Sequence, residues 1–214
     1  MSTLQLYSLA TPNSQKVGIA LEEMGLDYEA HKINIMEGDQ FSDDYKKINP
    51  NSKIPSLVDP VGDNGAPLAI MESGAILLYL AEKTGQFLPT DAAGRSRTLQ
   101  WLFFQVGGVG PMFGQFGHFY KFAEGDHAYA LERYRKETQR LLAVMDQHLS
   151  EHTYLVGEDI TIADFATFPW VNCLSAFYKA EGELNLESFT HVNRWLKTCL
   201  ARPKTQVGMK VCGF

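Results

Sequence analysis

The chain has 214 residues, enough for one large domain or two small ones with a core of ordinary size. Its 19 basic and 25 acidic side chains give a net charge of −6, and with 45% hydrophobic and 21% charged residues it has the composition of a soluble globular protein without a basic nucleic-acid footprint. No apolar run approaches the roughly 18 residues of a membrane helix and Met1-Ser-Thr-Leu-Gln-Leu-Tyr7 carries no cationic leader, so the expectation is a cytoplasmic protein with neither a nucleic-acid nor a membrane partner.

Leu4-Gln-Leu-Tyr-Ser-Leu9 alternates as a strand, and Val17, Ala20, Leu21 and Met24 then trace a helical stripe that stops at Gly25. Tyr28 to Ile35 alternates again, ahead of a polar loop from Glu37 to Asn51 with room for one helical turn. Ser56-Leu57-Val58 and Leu68-Ala69-Ile70-Met71 predict a hairpin around the turn-rich segment 59–65. Ser73 begins a helix that carries Ile76, Leu77, Tyr79 and Leu80 inward and ends at Gly85. Beyond Gly94 the strand signal fades. Arg95 to Phe122 is an apolar helical segment kinked by Gly107, Gly108, Gly110, Pro111 and Gly114. Residues 128–150 form a helix striped by Leu131, Tyr134, Thr138, Leu141, Leu142, Met145 and Leu149. Thr161-Ile-Ala-Asp164 is a capping motif opening another helix, and a last helix is expected over 189–201. The expected fold is α/β plus all-α: a β-α-β-α-β-β-α domain over 1–86, a linker at 87–93 and an all-helical domain over 94–214.

Three segments of the first domain can carry chemistry. In Asn49-Pro-Asn-Ser-Lys-Ile-Pro-Ser-Leu-Val58 a proline stands just before a short central strand. A cis Ile54–Pro55 bond, which turns the Ile54 backbone outward to pair with an extended peptide, accounts for it, and so does a plain trans proline at a strand start. In Met71-Glu72-Ser73-Gly74 a strand ends in an acid and a hydroxyl at a helix N-terminus, suited to the two charges of an amino-acid headgroup, with Ser73 as a simple N-cap the alternative. Thr11-Pro12-Asn13 sits at the carboxyl edge of the first strand, where open α/β sheets place ligands, and is also an ordinary capped helix start.

Elsewhere the chemistry is sparse. Cys173, Cys199 and Cys212 form no C-x-x-C pair and crowd into the last fifth of the chain, against a disulfide framework, a zinc ribbon or a dithiol centre. His148 and His152 are four apart but have no third ligand, so no metal is expected. Gly108-Val-Gly110-Pro-Met-Phe-Gly114 lacks the spacing and the preceding strand of a dinucleotide site.

The order of these elements, with Ser-Lys-Ile-Pro55, Glu72-Ser73 and Ile160-Thr-Ile-Ala-Asp-Phe165, resembles the glutathione transferases along nearly the whole chain. Thr11-Pro-Asn13, Gln40-Phe41, Asn49 to Pro55, Glu72 to Leu80 and Gln105-Val-Gly-Gly-Val-Gly-Pro-Met112 are similar to the nu class, bacterial transferases with glutathione-dependent disulfide reductase activity. The resemblance implies a thioredoxin-like domain that binds glutathione as co-substrate, a helical domain walling a second-substrate site, and a homodimer. It places Ile54 and cis Pro55 beside the cysteinyl backbone, Glu72 on the γ-glutamyl ammonium, Ser73 on the carboxylate, and Gln40 and Lys53 at the glycine end. Arg133 is carried over from the family's Glu-Arg-Tyr segment, an exposed ion pair being its other reading. Thr11 and Asn13 fall beside the sulfur, with Tyr7 and Ser14 as rival donors; many relatives have glycine in place of Ser14.

The physics required is thiolate stabilisation. A thiol with pKa near 8.5 is about 3% ionised at pH 7, and lowering it by roughly 2 units, about 2.7 kcal/mol, makes most of it nucleophilic. The expected activity is reduction of small disulfides with two bound glutathione molecules and no protein cysteine. Conjugation of electrophiles is the alternative, and a non-enzymic glutathione-binding module the third reading.

Overall fold

The computed structural model describes residues 3–213 and falls into two units. One runs to Gln86 and resumes at Arg202, and the other is Phe87–Ala201. In the first, β1 (Leu4–Ser8) points Leu4, Leu6 and Ser8 inward. The helix α1 (Pro12–Met24) follows, with Val17, Ile19, Ala20 and Leu21 fully buried. It ends at Gly25, whose φ of +69° lets its N–H turn back to the carbonyls of Leu21 and Glu22, the left-handed cap that glycine adopts without a Cβ clash. β2 (Tyr28–Lys32) is shorter than the alternation predicts, and the polar loop holds a helix, α2 (Asp43–Ile48), capped by the Ser42 side chain.

β3 (Ser56–Asp63) runs through most of the segment expected as a turn. Asp59 makes this possible: its carboxylate, 1% exposed, accepts from Tyr79 Oη at 2.6 Å and pairs with Lys83 Nζ at 2.8 Å, so a charge in mid-strand is neutralised. The turn shrinks to Asn64 and Gly65, both at positive φ, before β4 (Ala66–Met71). The sheet order is β2-β1-β3-β4, with β1 parallel to β2 and the other pairs antiparallel, and α3 (Ser73–Thr84) completes the β-α-β-α-β-β-α order.

The second unit is helical. Its opening segment, expected as linker, is held at both ends. Phe87 accepts from Ile162 N at 3.0 Å and packs on Phe165 with ring centroids 4.9 Å apart, and the Asp91 carboxylate caps α4 (Ala92–Phe104). The glycine-rich stretch then bends through two π-helical turns, Gln105–Val109 and His118–Phe122, on either side of α5 (Gly110–Gly117). α6 (Ala128–Leu149) buries Thr138, Leu141, Leu142, Met145 and Leu149, while Leu131 and Tyr134 stay half-buried. α7 (Ile162–Ala176) opens on the expected capping box. Its Asp164 also accepts from Leu155 N and Trp195 Nε1, tying α7 to α9 (Thr190–Leu200) beyond the short α8 (Glu181–Leu184).

The chain then rejoins the first unit through α10 (Pro203–Gly208), a helix with no periodic signal, whereas the sequence expectation kept these residues with the helical domain. Gly18 and Gly208 allow the docking. A Cβ on Gly18 would stand 2.4 Å from the Gly208 carbonyl oxygen, so α1 and α10 touch backbone to backbone. Beside this contact the buried Glu23 receives Arg202 Nε at 2.9 Å and Nη2 at 2.7 Å, and Thr205 Oγ1 at 3.0 Å. Ala10 N donates to Cys212 O at 3.0 Å, fastening the turn that leads into α1.

Candidate functional site

Three chain segments of the first unit meet at one concavity of about 150 Å³, lined by Asn13, Asn49, Lys53, Ile54, Pro55, Glu72 and Ser73. Asn13 comes from the first turn of α1. Thr11 caps that helix through its backbone rather than its side chain: Gln15 N donates to its carbonyl at 2.9 Å, while Oγ1 donates to Ser14 Oγ at 3.4 Å. Ser14 is buried and Thr11 half-buried, and neither lines the concavity. Tyr7 is stacked on His31, with centroids 4.7 Å apart.

The second segment is the loop entering β3. The Ile54–Pro55 bond is cis, which decides the alternative left open by the sequence. The loop is clamped from beneath: the Lys53 carbonyl accepts from Tyr45 Oη at 2.7 Å and from Asn49 Nδ2 at 2.8 Å, and both of those side chains also bond Ser56 Oγ. This polar network is satisfied without solvent and fixes the edge that Lys53 and Ile54 present.

The third segment is the β4–α3 junction. Glu72 sits at φ +68°, ψ 116°, a region that non-glycine residues avoid and that surrounding structure must hold in place. The sequence alternative of Ser73 as N-cap is corrected by this geometry: Glu72 occupies the cap position, and Ser73 is the first helical residue, 7% exposed, at the positive end of α3.

Lys16, one turn after Asn13, is absent from the sequence expectations. It is 1% exposed, and its Nζ donates to Ser73 Oγ at 3.2 Å. Burial pushes its ammonium from 10.5 down to about 7, against the pull of the Glu72 charge. The signal was its i+3 spacing from Asn13 on a helix otherwise apolar over Val17 to Leu21.

The remaining expected residues stand elsewhere. Gln40 lies on the 3₁₀ turn Asp39–Phe41 with Nε2 at 3.4 Å from Ile35 O, and its buried Oε1 has no hydrogen-bond partner among the described residues. Arg133 belongs to the helical unit, exposed on α6 in an open depression of about 550 Å³ shared with Tyr129, Tyr134 and Arg140. No cysteine lines the first-unit concavity. Cys173 and Cys199 are buried, and desolvation pushes the Cys173 thiol up to about 11. His148 and His152 stack with centroids 4.2 Å apart, each bonding a backbone carbonyl, and no group of three metal-ligating side chains occurs among the described residues.

Residues 10–83 match the glutathione S-transferase N-terminal domain and residues 108–203 the C-terminal domain of the same family. The chain belongs to the glutathione S-transferase family. This transferase is 46% identical over 213 residues to the disulfide-bond oxidoreductase YghU of Escherichia coli (strain K12), covering 96% of this chain and 73% of that one. A glutathione transferase family member from Pseudomonas fluorescens pf-5, solved with two glutathione bound, superposes with a TM-score of 0.96 at 49% identity, covering 98% of this chain and 93% of the other. A glutathione transferase from Pseudomonas putida, with one glutathione disulfide per subunit, gives 0.95 at 49% identity over 98% and 91%. These likenesses span both units of the transferase, and no helix among its described residues is long and apolar enough to cross a membrane.

Proposed function

We propose that this transferase is a glutathione-dependent disulfide oxidoreductase in which every reacting sulfur belongs to a substrate. The observation that carries this reading is the concavity itself, which gathers a carboxylate, a helix N-terminus, a fixed backbone edge and two amides but no cysteine. The disulfide-bond oxidoreductase relative and the structures with two glutathione or one glutathione disulfide support it.

In this assignment Glu72 takes the γ-glutamyl ammonium, Ser73 and the α3 N-terminus take its carboxylate, and Ile54 beside Pro55 pairs with the cysteinyl backbone. Lys53 and Gln40 face the glycine end, where the unpartnered Gln40 Oε1 can accept an N–H. Asn13 donates to the sulfur, Thr11 joins it by turning its hydroxyl from Ser14 to the ligand, and Arg133 is the further glutathione-binding residue. A bound glutathione thiolate attacks one sulfur of the foreign disulfide, forming a mixed disulfide and expelling a thiolate. A second glutathione thiolate then attacks the glutathione sulfur of that mixed disulfide, releasing the second foreign thiol and leaving oxidised glutathione. We further assign a homodimer and a cytoplasmic location, the former checked by sedimentation of the purified chain.

The deciding experiment assays one small disulfide and one aryl halide side by side with glutathione. Faster turnover of the disulfide is the expected result, and conjugation as the dominant activity overturns the reading in favour of an S-conjugating enzyme. Replacing Cys173, Cys199 and Cys212 together with alanine should keep disulfide reductase activity within about twofold, since no protein thiol enters the exchange; loss of activity in a variant that still shows native circular dichroism would refute the mechanism. Asn13→Ala should raise the pKa of the bound glutathione thiol by about one unit, the worth of one hydrogen bond to a charged acceptor, and, from a thiol already mostly ionised, slow turnover at pH 7 about threefold. Ultraviolet absorbance of the bound thiolate across a pH titration measures this directly.

A further inference from the structure

A buried lysine beneath a hydroxyl that lines a ligand site calls for a reason. Lys16 is almost fully buried, and a methionine would fill its place without desolvating an ammonium. Its Nζ reaches Ser73 Oγ at 3.2 Å, and Ser73 in turn lines the concavity at the N-terminus of α3. An ammonium has only donors. Bonded to Ser73 Oγ, it occupies an acceptor position and leaves the serine proton free to point into the concavity, as a carboxylate there requires. A neutral amine could instead accept that proton and turn it inward.

We propose that Lys16 is a positioning residue for the carboxylate end of the peptide: through Ser73 it holds the hydroxyl as a donor into the concavity and makes the site prefer γ-glutamyl peptides that keep their α-carboxylate. The proposal rests on the assignment of Ser73 to that carboxylate. It adds a second layer to the subsite, a charge that never touches the ligand. The charge of the nearby Glu72 acts on it, so the site sets a buried cation beside an exposed anion, and the ligand brings one charge of each sign to match.

The test compares glutathione with its analogue lacking the α-carboxylate, γ-aminobutyryl-cysteinylglycine, in the wild type and in Lys16→Met, Lys16→Gln and Ser73→Ala. Lys16→Met should raise KM for glutathione about tenfold, the size of one charge-assisted hydrogen bond, while KM for the analogue and kcat at saturation change less than about twofold. Lys16→Gln, which keeps a donor without the charge, should fall between. The melting temperature of Lys16→Met should equal or exceed that of the wild type. Equal losses for both peptides, or a lowered melting temperature in either lysine variant, would assign Lys16 to the fold and overturn the proposal. If Ser73→Ala leaves the KM for glutathione unchanged, the carboxylate assignment fails, and with it the ground for the lysine. Loss in Ser73→Ala with no change in Lys16→Met sinks the lysine alone.

Discussion

Asp164→Ala is expected to lower the thermal midpoint of the helical unit by about 10 °C, from a loss of about 3–5 kcal/mol at roughly 2–4 °C per kcal/mol. The carboxylate is fully buried and accepts four hydrogen bonds: Leu155 N at 3.0 Å and Trp195 Nε1 at 2.9 Å on Oδ1, Thr161 N at 2.9 Å and Thr161 Oγ1 at 3.2 Å on Oδ2. Burial alone pushes this carboxyl above its usual range while the four donors pull against it. Its removal leaves all the donors without their acceptor in a dry interior, each at about 1–3 kcal/mol before relaxation. Asp164→Asn keeps one accepting oxygen and should lose about half as much. Tryptophan fluorescence reports the transition cleanly, because Trp101, Trp170 and Trp195 all lie in this unit. A midpoint within one or two degrees of the wild type would mean that the network adds little to the fold.

Glu72→Gln should cut kcat/KM for glutathione about 30-fold, almost entirely through KM, because it replaces a charge-assisted contact to an ammonium worth about 2 kcal/mol with a neutral one. The side chain is exposed, so the melting temperature should not move. Glutamine keeps the same backbone demands at φ +68°, so the loss reports charge rather than loop geometry. The control is a glutathione analogue without the α-amino group, which should bind both proteins equally. Equal losses for the analogue and for glutathione would instead place Glu72 in the architecture of the β4–α3 junction and remove it from recognition.

Most of the first unit was legible because its core faces are periodic. The period-two run at Leu4 to Ser8 and the stripe ending at Gly25 carry their own boundaries. Six of the residues named from motifs, Asn13, Lys53, Ile54, Pro55, Glu72 and Ser73, share one concavity, since each sits where a strand or loop hands over to a helix or strand. What escaped is non-local or single. Lys16 has no period to betray its burial, only its spacing from Asn13. Asp59 looked like turn chemistry because its partners, Tyr79 and Lys83, lie on a later helix. Phe87 looked like linker because its docking on Phe165 joins positions far apart in the chain. Local chemistry could not separate Ser73 as cap from Ser73 as first helical residue; that distinction lies in the backbone of Glu72.

The contact of Gly18 with Gly208 also bears on the order in which the protein is made. Synthesis proceeds from the N-terminus, and domains often fold as they emerge. Here α1 waits for a helix near the other end of the chain, so the whole of Phe87–Ala201 has left the ribosome before the first unit can close over Glu23 and Gly18. The helical unit is continuous in sequence and can fold at once. The half of the molecule that was translated first is therefore the one completed last.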